Sequence, residues 1–310
     1  MNRLRIGSRG SKLALWQAEH VRARLLNDCG IESEIIIIKT SGDNFQSAPV
    51  TEIGGKGIFI KEIEDALLDG RVGIAVHSMK DVPTTTPSGL CFPAVTKRED
   101  PRDCLVSRGG ESLGKLPHGA RVGTSSLRRQ SQLRYFRKDL RVTEMRGNVD
   151  TRMRKLETGE FDAIVVAKAG LDRLGLSDKI AEAIAPGILL SAVGQGALAI
   201  EARESDKSLR DTLASFDDSE TRAAVTSERA LLAELEGGCQ VPLGAWGRIE
   251  DGALRLDARV LAADGSECIA RNASGPIANA EEMGRNLARE LLDAGADRLL
   301  RLAGRSVGGI

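Results

Sequence analysis

Short apolar runs alternate with helical patterns through roughly the first two-thirds of the chain, and this alternation leaves few folds open. "RLRIGS" reads as a strand. Ser11 then caps a helix that carries Leu13, Trp16, Val21 and Leu25 on one face, and Gly30 stops it. The four isoleucines of "SEIIIIKT" predict a strand buried on both faces. A helix at "FIKEIEDALLDG" and a strand at "VGIAVHS" follow. After a turn-rich stretch near residues 97–119 the pattern returns: "ARVGTSS" into "SLRRQSQLRYF", "RVTEMRG" into "VDTRMRKLETG", and then "FDAIVVAKAG". Strand, helix, strand at this spacing predicts parallel α/β units, here two such lobes in succession.

The last third has another character. A helix at "ETRAAVTSERALLAELEGG" precedes three alternating strand candidates, "LGAWGRIE", "ALRLDARVL" and "SECIARNAS". One amphipathic helix is expected from about Ala280 to Leu302. "GALAIEAR" reads as a strand that returns to the first sheet. The expected fold is therefore two α/β lobes with a cleft between them, the usual place for ligands of such sheets, plus a small α+β carboxyl-terminal domain with a three-stranded sheet. The boundaries are 1–98 with about 195–216 for domain 1, 99–194 for domain 2 and 217–310 for domain 3.

Charge narrows the partners. The chain has 44 Lys plus Arg and 44 Asp plus Glu, so no global field draws in nucleic acid or an anionic membrane. No apolar run is long enough to span a bilayer, and no secretory leader is recognised at "MNRLRIGSRG". An odd count of five cysteines fits reduced thiols and a cytoplasmic location. With three scattered histidines and neither CxxC nor HExxH, no metal site is expected.

Polar clusters stand where strands end. "HSMKDVP" places Ser78, Lys80 and Asp81 after a buried strand; a lone Lys–Asp pair is usually a surface ion pair of small effect, but this one adjoins the core. "GTSSLRRQ" offers Thr124, Ser126, Arg128 and Arg129 at a helix start, where hydroxyls, free N–H groups and guanidinium forks suit a carboxylate or phosphate; an N-cap with a solvated basic face is the plainer alternative. Arg9, Ser11, Arg146, Arg152 and Arg173 add to an excess of cations at loop ends. In a chain of zero net charge, such clustering points to a polyanionic small ligand. "GQGALA" matches a dinucleotide fingerprint by letter but precedes a strand instead of a helix, and "GGKGIF" lacks Walker spacing. Four cysteines, Cys29, Cys91, Cys104 and Cys268, sit in packing contexts. Cys239 in "LEGGCQVPLG" follows two glycines, which let the backbone come close to a ligand.

"SRGSKLALWQA", "GGKGIFIKEIE", "AVHSMKDVPT", "REDPRD", "VGTSSLRRQ", "RGNVDTR", "AGLDRLGL", "AVGQGALAIE" and "LEGGCQVPLG" occur in this order over residues 8–244. Together they resemble the hydroxymethylbilane synthase, or porphobilinogen deaminase, family. The resemblance implies two lobes like periplasmic binding proteins and a third domain. It implies a transferase of tetrapyrrole (heme) biosynthesis that condenses four porphobilinogen molecules, with loss of ammonia, into hydroxymethylbilane. One dipyrromethane cofactor per chain would be attached by a thioether to Cys239. Asp81 would be the catalytic carboxylate. Lys80, Thr124, Ser126, Arg128 and Arg129 would hold the cofactor's acids, and Arg9, Ser11, Arg146, Arg152 and Arg173 the incoming or growing rings. Ser78, Gln195 and Lys56 would lie near the substrate. A monomer is implied, with no nucleic-acid or membrane partner. Gly10 and Glu52 stand where many relatives carry other residues. The alternative from another class is a non-catalytic two-lobe anion-binding protein, which would have no need of an exposed thiol at Cys239.

Overall fold

The computed structural model describes residues 3–40, 60–235 and 241–307. The chain divides into two compact units, Met1–Arg98 with Ala197–Arg222, and Glu99–Gly196 with Ala223–Ile310.

The first unit opens with β1 (Leu4–Ser8), α1 (Lys12–Cys29), β2 (Ser33–Ile37), α2 (Lys61–Leu68), β3 (Ile74–Ser78) and β4 (Leu90–Val95). Ser11 accepts from the Ala14 N–H at the head of α1, and Gly30 ends the helix at φ 68°, a left-handed conformation that glycine adopts without steric cost. Within the second unit the chain continues through β5 (Asp103–Ser107), β6 (Arg121–Gly123), α3 (Leu127–Phe136), β7 (Arg141–Thr143), α4 (Val149–Glu157), β8 (Ala163–Ala167), α5 (Lys168–Arg173) and β9 (Glu182–Ala183). Then β10 (Leu198–Arg203) and α6 (Lys207–Leu213) rejoin the first unit, and α7 (Ser219–Glu234) follows. The last elements are β11 (Leu243–Glu250), β12 (Ala253–Leu261), β13 (Cys268–Gly275), α8 (Ala280–Asp293) and α9 (Ala296–Val307).

Two five-stranded sheets share one plan. The first runs β2-β1-β3-β10-β4 and the second β7-β6-β8-β5-β9. In each, the first three strands are parallel, and the fourth position is filled by an antiparallel strand, β10 or β5. Each of these two strands enters just after the chain has passed from one unit to the other, so no βαβ crossover fixes its direction. The strand–helix–strand units are parallel, as expected, and the added strands β10 and β5 make each sheet mixed. The third sheet, β11-β12-β13, is antiparallel. The two α/β lobes and the small α+β region are as expected.

Three expectations change. The isoleucine run forms the edge strand β2: Ile35 packs toward α1 and Ile36 toward α2, yet Ile37 is 57% exposed because nothing pairs beyond it among the described residues. The packing contexts of Cys91 and Cys104, "LCFPAV" and "DCLVS", for which no strand was expected, are β4 and β5. Pro93 is tolerated because β4 is itself an edge. The final helix is two, α8 and α9, broken at Gly295 with φ 94°. On α1 the buried face is Gln17, Ala18, Val21 and Leu25, with Leu13 and Trp16 half-buried.

Helix α8 lies so close to α7 that a Cβ on Gly284 would stand 2.2 Å from the Ser227 carbonyl oxygen. Gly284→Ala gains about 1 kcal/mol of helix propensity but must push two helices apart, at a cost of typically 1–3 kcal/mol or more. Chemical denaturation should show a net loss of stability; an unchanged or raised midpoint would contradict this packing.

Candidate active site

In the first unit, β1 and β3 are parallel neighbours with Ile6 opposite Ile74 and Gly7 opposite Ala75. Their carboxyl ends therefore open on one edge of the sheet, where Arg9 and Ser11 follow β1, and Ser78, Lys80 and Asp81 end or follow β3. The turn after β3 is held at both ends. The Met79 N–H donates to the Ala197 carbonyl at 3.0 Å and the Val82 N–H to the Met79 carbonyl at 3.1 Å, while the Met79 and Val82 side chains are buried. Asp81 between them is exposed and Lys80 half-buried. A carboxylate is thus presented on a fixed turn. Gln17 of α1, buried at 3% exposure, donates from Nε2 to Ser78 Oγ at 2.8 Å and fixes that hydroxyl. Behind the turn, His77 Nε2 lies 2.9 Å from Glu201 Oε2, both buried.

The second unit repeats the logic. Strands β7, β6 and β8 are parallel, so the segments carrying Thr124 to Arg129, Arg146, Arg152 and Arg173 begin at one edge. Because β5 is antiparallel to β8, with Asp103 opposite Ala167, its first residue arrives at that same edge. Asp103 is fully buried and meets two arginines at 4% and 6% exposure. Arg128 Nη1 donates to Asp103 Oδ2 and to the Leu190 carbonyl, each at 2.6 Å. Arg129 donates to Asp103 Oδ1 from Nη2 at 2.7 Å and from Nε at 3.0 Å, and to the Val165 carbonyl at 3.2 Å. Gln195 Nε2 donates to the same Oδ1 at 2.9 Å and to the Pro101 carbonyl at 2.7 Å.

Further cations stand around this knot. Arg152 donates from Nε to the Gly147 carbonyl at 2.8 Å and from Nη2 to Ser125 Oγ at 3.3 Å; among the described residues it meets no carboxylate. Burial and the charge of Arg129 pull its pKa down to about 10. Arg173, 8% exposed, donates to the Gly196 carbonyl at 2.7 Å, and burial lowers its pKa. Burial also lowers that of Arg128, against the pull of Asp103. Thr124 is fully buried, its Oγ1 accepts from the Ser126 N–H at 3.3 Å, and Ser126 heads α3 without a side-chain cap bond. Arg146 pairs with Glu144 at 2.6 Å.

The structure thus gathers Arg9, Ser11, Ser78, Lys80 and Asp81 at one sheet edge. Thr124, Ser126, Arg128, Arg129, Arg146, Arg152, Arg173 and Gln195 stand along or near the other. Cys239, Lys56 and Glu52 lie outside the described residues. Asp103, Gln17, His77 and Glu201 escaped sequence reasoning. Asp103 stood in the quoted "REDPRD", and only the pairing of β5 reveals its partners. Burial pushes the Cys104 thiol up to about 12 and raises those of Cys91 and Cys268, which keeps all three protonated and unreactive.

Burial alone would raise the Asp103 carboxyl, but the two guanidiniums outweigh it and hold the group well below the ordinary carboxylate range. Its contribution to stability is therefore complete above the unfolded value of about 3.9 and is lost as pH falls below that value toward the folded one. Asp103→Asn should lower stability at neutral pH by about 3–5 kcal/mol, since two buried cations lose their counter-charge. It should also flatten the dependence of stability on pH between about 5 and 3. Denaturant unfolding over that range checks both; a variant that keeps the wild-type slope would contradict the assignment.

Comparison with known proteins fits this geometry. The family model described as "Porphobilinogen deaminase, dipyromethane cofactor binding domain" matches residues 4–211, and that of the "Porphobilinogen deaminase, C-terminal domain" matches residues 222–293. A porphobilinogen deaminase of Syntrophobacter fumaroxidans is 48% identical over 298 residues, covering 96% of each chain. That of Chromobacterium violaceum is 50% identical over 301 residues, covering 97% of each. That of Nitratidesulfovibrio vulgaris is 52% identical over 303 residues, covering 97% of this chain and 96% of its own. Among solved structures, a periplasmic substrate-binding protein of an ABC transporter from Coxiella burnetii aligns at 15% identity and a TM-score of 0.42, over 69% of this chain and 91% of its own; so remote a likeness adds nothing to the topology above. With family models over both parts of the sequence and full-length relatives at about half identity, the chain belongs to the porphobilinogen deaminase family.

Proposed function

We propose that this chain is a hydroxymethylbilane synthase, a transferase that joins four porphobilinogen molecules head to tail and releases the linear tetrapyrrole by hydrolysis. The observation that carries the reading is the surplus of buried guanidiniums in the second unit. The buried Arg128 and Arg129 share a single buried carboxylate, Asp103, and the half-buried Arg152 adds its charge near Arg129. A polycarboxylate relieves that surplus, and arginine forks bind carboxylates with two parallel bonds. The residues present therefore fit a dipyrromethane, whose rings bear acetate and propionate groups. When bound, the dipyrromethane supplies a covalent primer with a nucleophilic pyrrole carbon.

The chain's own residues do the rest. Cys239 supplies the thiolate that holds the primer. Arg128, Arg129, Thr124, Ser126 and Lys80 take its acids. Arg9, Ser11, Ser78, Arg146, Arg152, Arg173, Gln195 and Lys56 serve the incoming or growing rings. In each cycle the aminomethyl C–N bond of porphobilinogen breaks, ammonia leaves, the methylene forms a bond to the free α-carbon of the terminal pyrrole, and that attacking carbon loses its proton. Asp81, presented on its pinned turn, stabilises the positive charge that develops as ammonia departs and accepts or returns protons at the pyrrole nitrogens. The protein acts in this reading as a cytoplasmic monomer of three domains, with the stretch 217–310 carrying Cys239.

Asp81→Asn keeps the shape and removes the charge. Folding and loading of the primer should survive, while kcat falls by about a hundredfold or more, the range for a positioned electrostatic group. Asp81→Glu keeps the charge about one methylene away and should retain more activity than the amide. Steady-state kinetics on variants of confirmed mass decide the matter. An Asn variant with near-normal kcat and a raised KM would make Asp81 a binding residue instead.

A further inference from the structure

Glu228 sits in the middle of α7, fully buried, with no part in the chemistry above. Its two oxygens are divided between two segments far apart in sequence. Oε2 accepts from the Gly194 N–H at 2.6 Å and Oε1 from the Gly247 N–H at 2.7 Å. A buried carboxylate is costly unless hydrogen-bonded, and charge-assisted bonds of this length are among the stronger ones available to a protein.

Gly194 opens a tight turn, with φ 69° there and 93° at Gly196. The turn's three residues reach three different places. Gly194 is held by Glu228, Gln195 donates to Asp103 and Pro101, and the Gly196 carbonyl receives Arg173. A displacement of Gly194 therefore moves the side chain that shares Asp103 Oδ1 with Arg129, and with it the seat of Arg128 and Arg129. On the other side α7 has little freedom. A Cβ on Gly247 would stand 2.6 Å from the Ala224 carbonyl oxygen, so strand β11 is already in close contact with the helix that carries Glu228.

We propose that Glu228 is a positioning residue for primer binding: clamped between β11 and the Gly194 turn, it sets Gln195 against Asp103 and so holds Arg128 and Arg129 in place for the primer's acids. This rests on the function proposed above. If Glu228 acts through Gln195, loss of either group disturbs the same arginines, and losing both adds little. If it merely stabilises the fold, the two losses act independently.

The test uses the full chain, expressed as apoprotein in a host unable to make porphobilinogen, then given porphobilinogen while intact mass follows the rate of adduct formation. Glu228→Gln keeps the shape but replaces one acceptor oxygen by an amide nitrogen facing a backbone N–H. Loading should slow by about tenfold, corresponding to about 1.4 kcal/mol. Gln195→Ala should slow it similarly, and the double variant should be no more than about twofold slower than either. Loading of Glu228→Gln at the wild-type rate, with only a lower Tm, would overturn the proposal, as would a double variant slowed by the product of the two effects. Should Glu228→Gln fail to fold, Glu228→Asp keeps the charge but draws it back by about one methylene, and there too wild-type loading would overturn the proposal. A wild-type protein that acquires no adduct would instead overturn the proposed function, and this inference with it.

Discussion

The second unit is organised around one carboxylate that two arginines share. Asp103 is fully buried, as are nearly all of Arg128 and Arg129, and such groups are tolerated only when paired and hydrogen-bonded. Each arginine also finds a backbone carbonyl, Leu190 for Arg128 and Val165 for Arg129, while Gln195 caps Asp103 from the side. The pair of cations is thus locked in place yet only half neutralised. That state has a cost for folding in isolation and a use for binding: donors already desolvated and oriented need no reorganisation when a dicarboxylate arrives.

The two lobes follow one plan closely enough to share details. Arg5 on β1 donates to the Gly70 carbonyl at 2.9 Å, and Arg121 on β6 donates to the Gly159 carbonyl at 2.9 Å. "RIGS" in one lobe answers "RVGT" in the other, and Ser8 and Thr124, which follow the paired glycines, are both fully buried. The plan then serves different ends. In the first unit the carboxyl edge presents an exposed acid, Asp81; in the second it presents buried bases. A shared topology sets where polar groups emerge, and the residues placed there decide what they do.

Much of this was legible in the sequence. The order of strands and helices followed from apolar period, Ser11 and Gly30 marked the limits of α1, and strand ends located most polar candidates. What stayed hidden was long-range. The Ile35–Ile38 run looked like an interior strand because composition reports hydrophobicity and not position in a sheet. "DCLVS" was too short and too close to turn residues to declare itself a strand, so Asp103 showed neither its depth nor its partners. The break at Gly295 interrupts a helical pattern whose apolar face continues on both sides. Glu228 looked like one more acid on a charged helix, and only the approach of the Gly194 turn and of β11 shows otherwise.

The central claim is that the arginines held by Asp103 form the seat of the primer. Arg128→Leu removes one fork while retaining an apolar side chain of moderate size, and Asp103 keeps Arg129 and Gln195 as partners. The direct measurement is the intact mass of this full-length variant beside the wild-type chain, both produced with porphobilinogen present. The account predicts that wild type carries one dipyrromethane and that Arg128→Leu is recovered folded but mainly as apoprotein. A variant recovered fully loaded would contradict it and confine Arg128 to the handling of later rings.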